Sequence, residues 1–247
     1  MSNSTILGIP FGSNKEQLEL IRLINTNDKP VIFCFGDAGT GKTFATLAVS
    51  LDLIQQRKYK HIYYIREPKE VGRSLGFLPG NIDDKYNVYL EGLFDNIEHI
   101  CAFSKTNPQE MATKIECMPP QFVRGRSFEN SIIIVDEAQN LELTTIQTLL
   151  TRIGKYCKII LLGSMNQIDL PRMTAQDNDF KRAYSIIEGF NFVGGVTLIK
   201  NERSEYAAAL DKAFSDYKAE HTEEAQQISN PWSKYATSQP NHIKKIQ

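Results

Sequence analysis

Short runs of β-branched and aromatic residues recur along this chain, and between them the apolar positions fall at helical intervals. The runs are VIFCF at 31–35, HIYYI at 61–65, SIIIV at 131–135, KIILL at 158–162 and GGVTLI at 194–199. They are short enough for strands, and most are apolar at successive positions, as strands are when helices cover both faces of a parallel sheet. After the first run, Phe44, Leu47, Leu51 and Ile54 keep the spacing of an amphipathic helix. The alternation predicts an α/β fold, a mostly parallel sheet with flanking helices.

Two stretches break the rhythm. The segment between the second and third runs is too long for a plain loop and contains the helical YNVYLEGLFDNIEHICAF. It predicts an insertion over about residues 68–128, forming a subdomain at the edge of the sheet. From Ala219 onward the chain is polar and aperiodic, which predicts a domain over 1–218 followed by a polar tail, with Trp232 its one candidate for docking on a surface. No internal repeat is present.

Composition narrows the classes. The chain has 247 residues, 41% of them apolar, which is enough for a substantial core. A net charge of −1 provides no global attraction for nucleic acid or an anionic membrane, so a polyanionic partner requires a local basic patch. Cys34, Cys101, Cys117 and Cys157 are widely spaced without a C-x-x-C pair, as expected of reduced, buried thiols. The opening MSNSTILGIPFG lacks the basic flank and long apolar stretch of a signal peptide, and no run reaches membrane-spanning length. The expectation is a cytoplasmic protein without a membrane partner, in a bacterium or in a host cell if phage-encoded.

Chemistry enters at FCFGDAGTGKT, residues 33–43. Glycines after a strand are consistent with a tight turn alone, but Gly36, Asp37, Ala38, Gly39, Thr40, Gly41, Lys42 and Thr43 together fit G-x-x-x-x-G-K-[ST], the Walker A phosphate loop. In such a loop the backbone N–H groups curl around phosphate oxygens and the following helix presents its positive end. Lys42 then neutralises the β- and γ-phosphates, and Thr43 ligates Mg²⁺. In SIIIVDEAQN, residues 131–140, an apolar strand ends in two acids. With the phosphate loop upstream, Asp136 reads as the Walker B ligand of the metal shell and Glu137 as the group that polarises the attacking water, although acids also cap helices after strands. Gln167, beyond KIILL, is a candidate to sense the γ-phosphate or orient water, and alternatively satisfies loop backbone. Gln17 either reads an adenine edge or is an exposed helix residue.

Further blocks carry a family resemblance: REPKEVGRSLGFLPGNIDDK at 66–85, FVRGRSFENSIIIVDEAQN at 122–140, LLTRIG at 149–154 and GSMNQIDLPR at 163–172. With GDAGTGKT they resemble the PhoH-like, phosphate-starvation-inducible family of P-loop ATPases, which is similar to the first RecA-like domain of superfamily 1 helicases. The resemblance covers roughly residues 15–215. Two positions depart from the family pattern: Asp37 stands where proline is common, and Ser164 stands where an acid is expected, one charge fewer near the metal.

The resemblance implies ATP and Mg²⁺ as ligands, ATP hydrolysis, and helicase-like work on single-stranded RNA or DNA. It ranks Arg203, in LIKNERS, first as the arginine that meets the γ-phosphate, ahead of Arg152 and Arg172; an ordinary surface role is the alternative. Arg66 is another arginine on the sequence. Arg124 and Arg126 flank a glycine near Phe122 and Phe128, so they are candidates to hold nucleic acid by phosphate contacts and stacking, or else to bridge subunits or the domain's own carboxylates. Helicase relatives close ATP between two RecA-like domains, so one domain implies a homo-oligomer, a ring with six copies as one closure, in which an arginine acts across the boundary. A non-hydrolysing nucleotide switch and a P-loop kinase are the rival classes; Glu137 beside Asp136 favours water as acceptor over the kinase.

Overall fold

The strands that the apolar runs predict all form, and their side chains divide between two cores. In the computed structural model, β1 (Thr5–Ile6) and β2 (Ile9–Pro10) make a small hairpin, followed by α1 (Lys15–Asn25), β3 (Val31–Gly36), α2 (Lys42–Gln55) and β4 (His61–Arg66). Next come α3 (Glu91–Ser104), α4 (Pro108–Ala112), β5 (Ile115–Met118), β6 (Ser131–Asp136), α5 (Leu143–Leu150), β7 (Lys158–Gly163), α6 (Asp179–Ile187) and β8 (Val193–Leu198). Residues 5–12, 14–68, 86, 89–164, 178–203, 206, 207, 209, 210 and 213 are described. Gln167, Arg172, Trp232, nearly all of the GFLPG-containing block and the 219–247 segment lie outside them.

The main sheet has six strands in the order β5-β4-β6-β7-β3-β8, and every neighbouring pair is parallel. Alternate residues point to opposite faces. Ile32, Cys34, Ile62, Tyr64, Ile132, Ile134, Ile160 and Leu162 join a core with Leu20, Leu47, Leu51, Ile97 and Ile100 of α1, α2 and α3. Phe33, Phe35, Ile133, Val135, Ile159 and Leu161 point the other way, to Ile146, Leu149 and Phe180 of α5 and α6. Helices on both faces explain why β6 and β7 are buried at every position. All four cysteines are free; Cys34 is fully buried, and burial pushes its thiol up to about 12, so it acts as a small apolar filler. Cys117 is half-buried.

The described part of the insertion is built into the sheet. β5 adds an edge strand beside β4, an element absent from the sequence prediction because IECM is short and mixed in character. α3 buries Leu93, Ile97, Ile100 and Cys101 in the α1–α2 core. Contacts divide the chain into Met1–Glu202 and Arg203–Gln247. Within the second unit, residues 206, 207, 209, 210 and 213 are helical. Among the described residues, no helix is long and apolar enough to cross a membrane.

Candidate functional site

The segment 36–43 leaves the carboxyl end of β3 and runs directly into α2. The carbonyls of residues 36–40 all accept hydrogen bonds, those of Gly36 and Asp37 from the loop's own side chains and those of Ala38, Gly39 and Thr40 from outside it. Lys42 Nζ donates to Gly36 O at 2.6 Å and to Asp37 O at 2.9 Å. Thr40 Oγ1 also donates to Asp37 O, at 2.9 Å. Asn201 Nδ2 donates to Ala38 O at 3.3 Å, the Glu202 amide to Gly39 O at 2.8 Å, and Gln17 Nε2 to Thr40 O at 3.0 Å. With the carbonyls of residues 36–40 so engaged, the first-turn N–H groups of α2, which helix geometry leaves without intrahelical acceptors, are available for an anion. The loop therefore combines satisfied acceptors with unengaged first-turn donors.

Gln17 is neither exposed nor at a rim. It is buried beneath the loop at 8% exposure, which corrects the exposed-helix alternative, and its side chain explains one glycine. Gly41 has φ +83°, and a Cβ there would meet Gln17 Nε2 at 2.5 Å. The other wall is the segment after β8, where Glu16 Oε2 accepts from the Ile199 amide at 2.6 Å and Asn14 Nδ2 donates to Glu202 Oε1 at 2.7 Å. Arg203 follows as the first residue of the second unit.

The two acids of the third apolar run meet this loop. Asp136, 5% exposed at the end of β6, accepts from Thr43 Oγ1 at 3.2 Å and from the Glu137 amide at 3.1 Å through Oδ1. Its other oxygen accepts from the Tyr64 hydroxyl, with Arg66 Nη1 at 4.0 Å. Burial, then the Asp136 charge, holds the Tyr64 phenol well above its usual range, so it stays a donor. Burial would lower Arg66, but Asp136, Tyr64 and Glu137 outweigh it and the net shift is upward. Tyr64 and Arg66 are site residues whose partner the sequence did not reveal. Their signal is a tyrosine at an inward strand position and an arginine at the strand's carboxyl end.

Glu137 adopts the left-handed conformation, φ 53° and ψ 40°, uncommon for a side chain of this type. Its Oε2 accepts from Gln139 Nε2 at 2.6 Å. Thr43 and Asp136 supply hard oxygen donors, and their 3.2 Å separation is near the edge, about 3 Å, of an octahedron with 2.1 Å bonds. The donor set therefore suits Mg²⁺, which is commonly held by one or two carboxylates together with substrate phosphates.

One member of the basic pair bridges a carboxylate of the same domain. Arg126 Nη1 pairs with Glu116 at 2.6 Å, one of the alternatives the sequence left open. Phe122 is exposed, whereas Phe128 is buried at 2% and packs on Tyr63 with ring centroids 4.6 Å apart, so Phe128 is core and does not stack on a ligand. Arg152 O accepts from the Phe128 amide ahead of the amino end of β6, while Asp136 closes the carboxyl end of that strand.

The chain matches the family model described as PhoH-like protein over residues 11–215. It belongs to the PhoH-like family. It is 34% identical over 201 residues to Protein PhoH2 of Bacillus subtilis (78% of this chain, 45% of that protein). It is 33% identical over 161 residues to Protein PhoH of Escherichia coli K12 (64% and 45%). This chain spans about half the length of the curated relatives it matches. Among solved structures it is similar to the Pif1 helicase of Candida albicans, with a TM-score of 0.38 and 17% identity over 78% of this chain and 40% of that one. The family and the phosphate loop identify a P-loop protein of nucleotide-binding type.

Proposed function

We propose that this PhoH-like chain binds ATP with Mg²⁺ and hydrolyses it, coupling turnover to single-stranded RNA or DNA as a homo-oligomer. The observation that carries the hydrolytic reading is the meeting of Thr43 with Asp136 at 3.2 Å, at the end of a loop whose Ala38, Gly39 and Thr40 carbonyls are engaged by residues outside it.

Lys42 and the first-turn amides neutralise and orient the β- and γ-phosphates. Thr43 and Asp136 would hold Mg²⁺, which supplies charge neutralisation at those phosphates when bound. Glu137 orients a water and takes its proton as the water oxygen bonds to the γ-phosphorus. The bond from that phosphorus to the bridging oxygen breaks, and ADP leaves with the electron pair.

Arg66 adds fixed positive charge 4.0 Å from Asp136. In this proposal Arg203 of a neighbouring copy completes the charge around the γ-phosphate, and Gln167 helps orient the water. The test is phosphate release by the wild type, Lys42→Ala and Glu137→Gln, with and without single-stranded RNA or DNA. Lys42→Ala is expected to lose nucleotide binding. Glu137→Gln is expected to keep it and to lose about 10²- to 10⁴-fold in rate. Tight ATP binding by the wild type with no phosphate release would instead favour a nucleotide-held switch.

A further inference from the structure

β7 lies between the strand that feeds the phosphate loop and the strand that carries Asp136. The residue that leaves its carboxyl end can therefore reach both, and Ser164 does so. Its hydroxyl donates to Asp37 Oδ1 of the phosphate loop at 2.9 Å. Its amide donates to Gln139 Oε1 at 3.0 Å, and Gln139 Nε2 donates to Glu137 Oε2 at 2.6 Å. Asn178, which caps α6, donates to Ser164 O at 3.3 Å from behind.

Ser164, Gln139 and Asn178 are at most 2% exposed. Buried polar groups are costly unless paired, and these are paired along a continuous line from the loop to Glu137. The line needs a glycine: a Cβ at Gly163 would meet Phe180 at 2.6 Å and Gln139 Oε1 at 3.1 Å.

We infer that Asp37 and Ser164 form one positioning unit, a carboxylate–hydroxyl latch that ties the phosphate loop through Gln139 to the carboxylate of Glu137. None of the three relay residues touches the reacting atoms in this scheme. Filling the loop with phosphate shifts Asp37, and Ser164 passes that shift to a glutamate already held in a left-handed backbone. The catalytic consequence rests on the hydrolytic reading of Glu137, while the physical coupling of the two segments does not.

The experiment compares wild type, Asp37→Ala, Ser164→Ala, Ser164→Thr and the Asp37→Ala/Ser164→Ala double variant. Hydrogen exchange is followed over 36–43 and 137–140 on adding a non-hydrolysable ATP analogue, together with analogue affinity and phosphate release. In the wild type and Ser164→Thr, which keeps a hydroxyl, both segments gain protection. In the alanine variants 36–43 still responds and 137–140 does not. Their kcat falls about 10- to 100-fold, the scale of a misplaced group. Analogue affinity stays within about threefold, and the double variant is no worse than either single one.

Equal protection of 137–140 in wild type and alanine variants, or additive losses in the double variant, overturns the latch. Because Asp37 is exposed, Asp37→Ala tests the unit even if Ser164→Ala fails to fold. Coupled protection without any phosphate release by the wild type would overturn the hydrolytic reading and leave the latch standing. Absence of a response to the analogue at 36–43 in the wild type overturns both.

Discussion

Gln17 and Thr40 are joined by a 3.0 Å hydrogen bond that braces the phosphate loop from α1, 23 residues away in sequence. Gln17→Ala leaves the Thr40 carbonyl without that donor, a loss of about 1–3 kcal/mol for a buried acceptor. The part of this loss felt equally by free and bound protein cancels from the binding equilibrium, and the remainder, felt where nucleotide needs the braced loop, is expected to weaken affinity roughly 3- to 10-fold, alike for ATP and GTP. A titration with both nucleotides checks this, and a loss confined to ATP would restore an adenine-reading role.

Arg124 and Arg126 should contribute unequally to any single-stranded nucleic acid. Arg126 already pairs with Glu116 and must leave it to meet a phosphate. Arg124→Ala is expected to reduce the slope of log affinity against log salt by about 0.7, one phosphate on a single strand, and Arg126→Ala by less. Fluorescence anisotropy over a salt series measures both slopes; identical slopes in all three proteins would remove the pair as a contact.

Arg203 is expected to act across a boundary between copies. Mixing two inactive variants, Glu137→Gln and Arg203→Ala, creates some boundaries with both wild-type groups, so phosphate release should partly return. An arginine supplied in this way is worth about 10³ to 10⁵ in rate, which leaves a wide window for detection. Exchange of subunits without recovery would place Arg203 in its own site or outside the reaction.

Lys158 supplies a pH signature of the fold. At 1% exposure it donates to Leu23 O at 3.1 Å and also to Thr26 O, and burial lowers its ammonium from 10.5 to about 8. Between those values the unfolded chain holds a proton that the folded chain has released. Stability therefore rises with pH across that interval, relative to a chain without the group. The wild type minus Lys158→Met difference in Tm should increase from about pH 8 toward pH 10.5 and stay level below it. A difference that is flat across the interval would contradict the shift.

Much of this was legible in the sequence because it depends on local pattern. Five of the six strands of the main sheet announce themselves as apolar runs, and the glycines, lysine and threonine of 36–43 specify a phosphate loop through backbone geometry. β5 escaped because IECM offers four residues of mixed character, and an edge strand need bury only part of its surface. Phe128 illustrates the converse: beside two arginines it resembles a stacking ring, yet it fills the core under Tyr63.

The sequence by itself determined the parallel α/β class, the phosphate loop and the two acids, since these follow from periodicity and from the backbone needs of a short contiguous motif. Only the tertiary structure decided that Gln17 supports the loop, that Tyr64 and Arg66 surround Asp136, and that Asp37 and Ser164 are partners. Those relationships join residues 23 to 127 positions apart. Neighbouring strands bring the residues around Asp136 and Ser164 together, and the packing of α1 against α2 in one core brings Gln17 beneath the loop, both consequences of burying the two faces of the sheet.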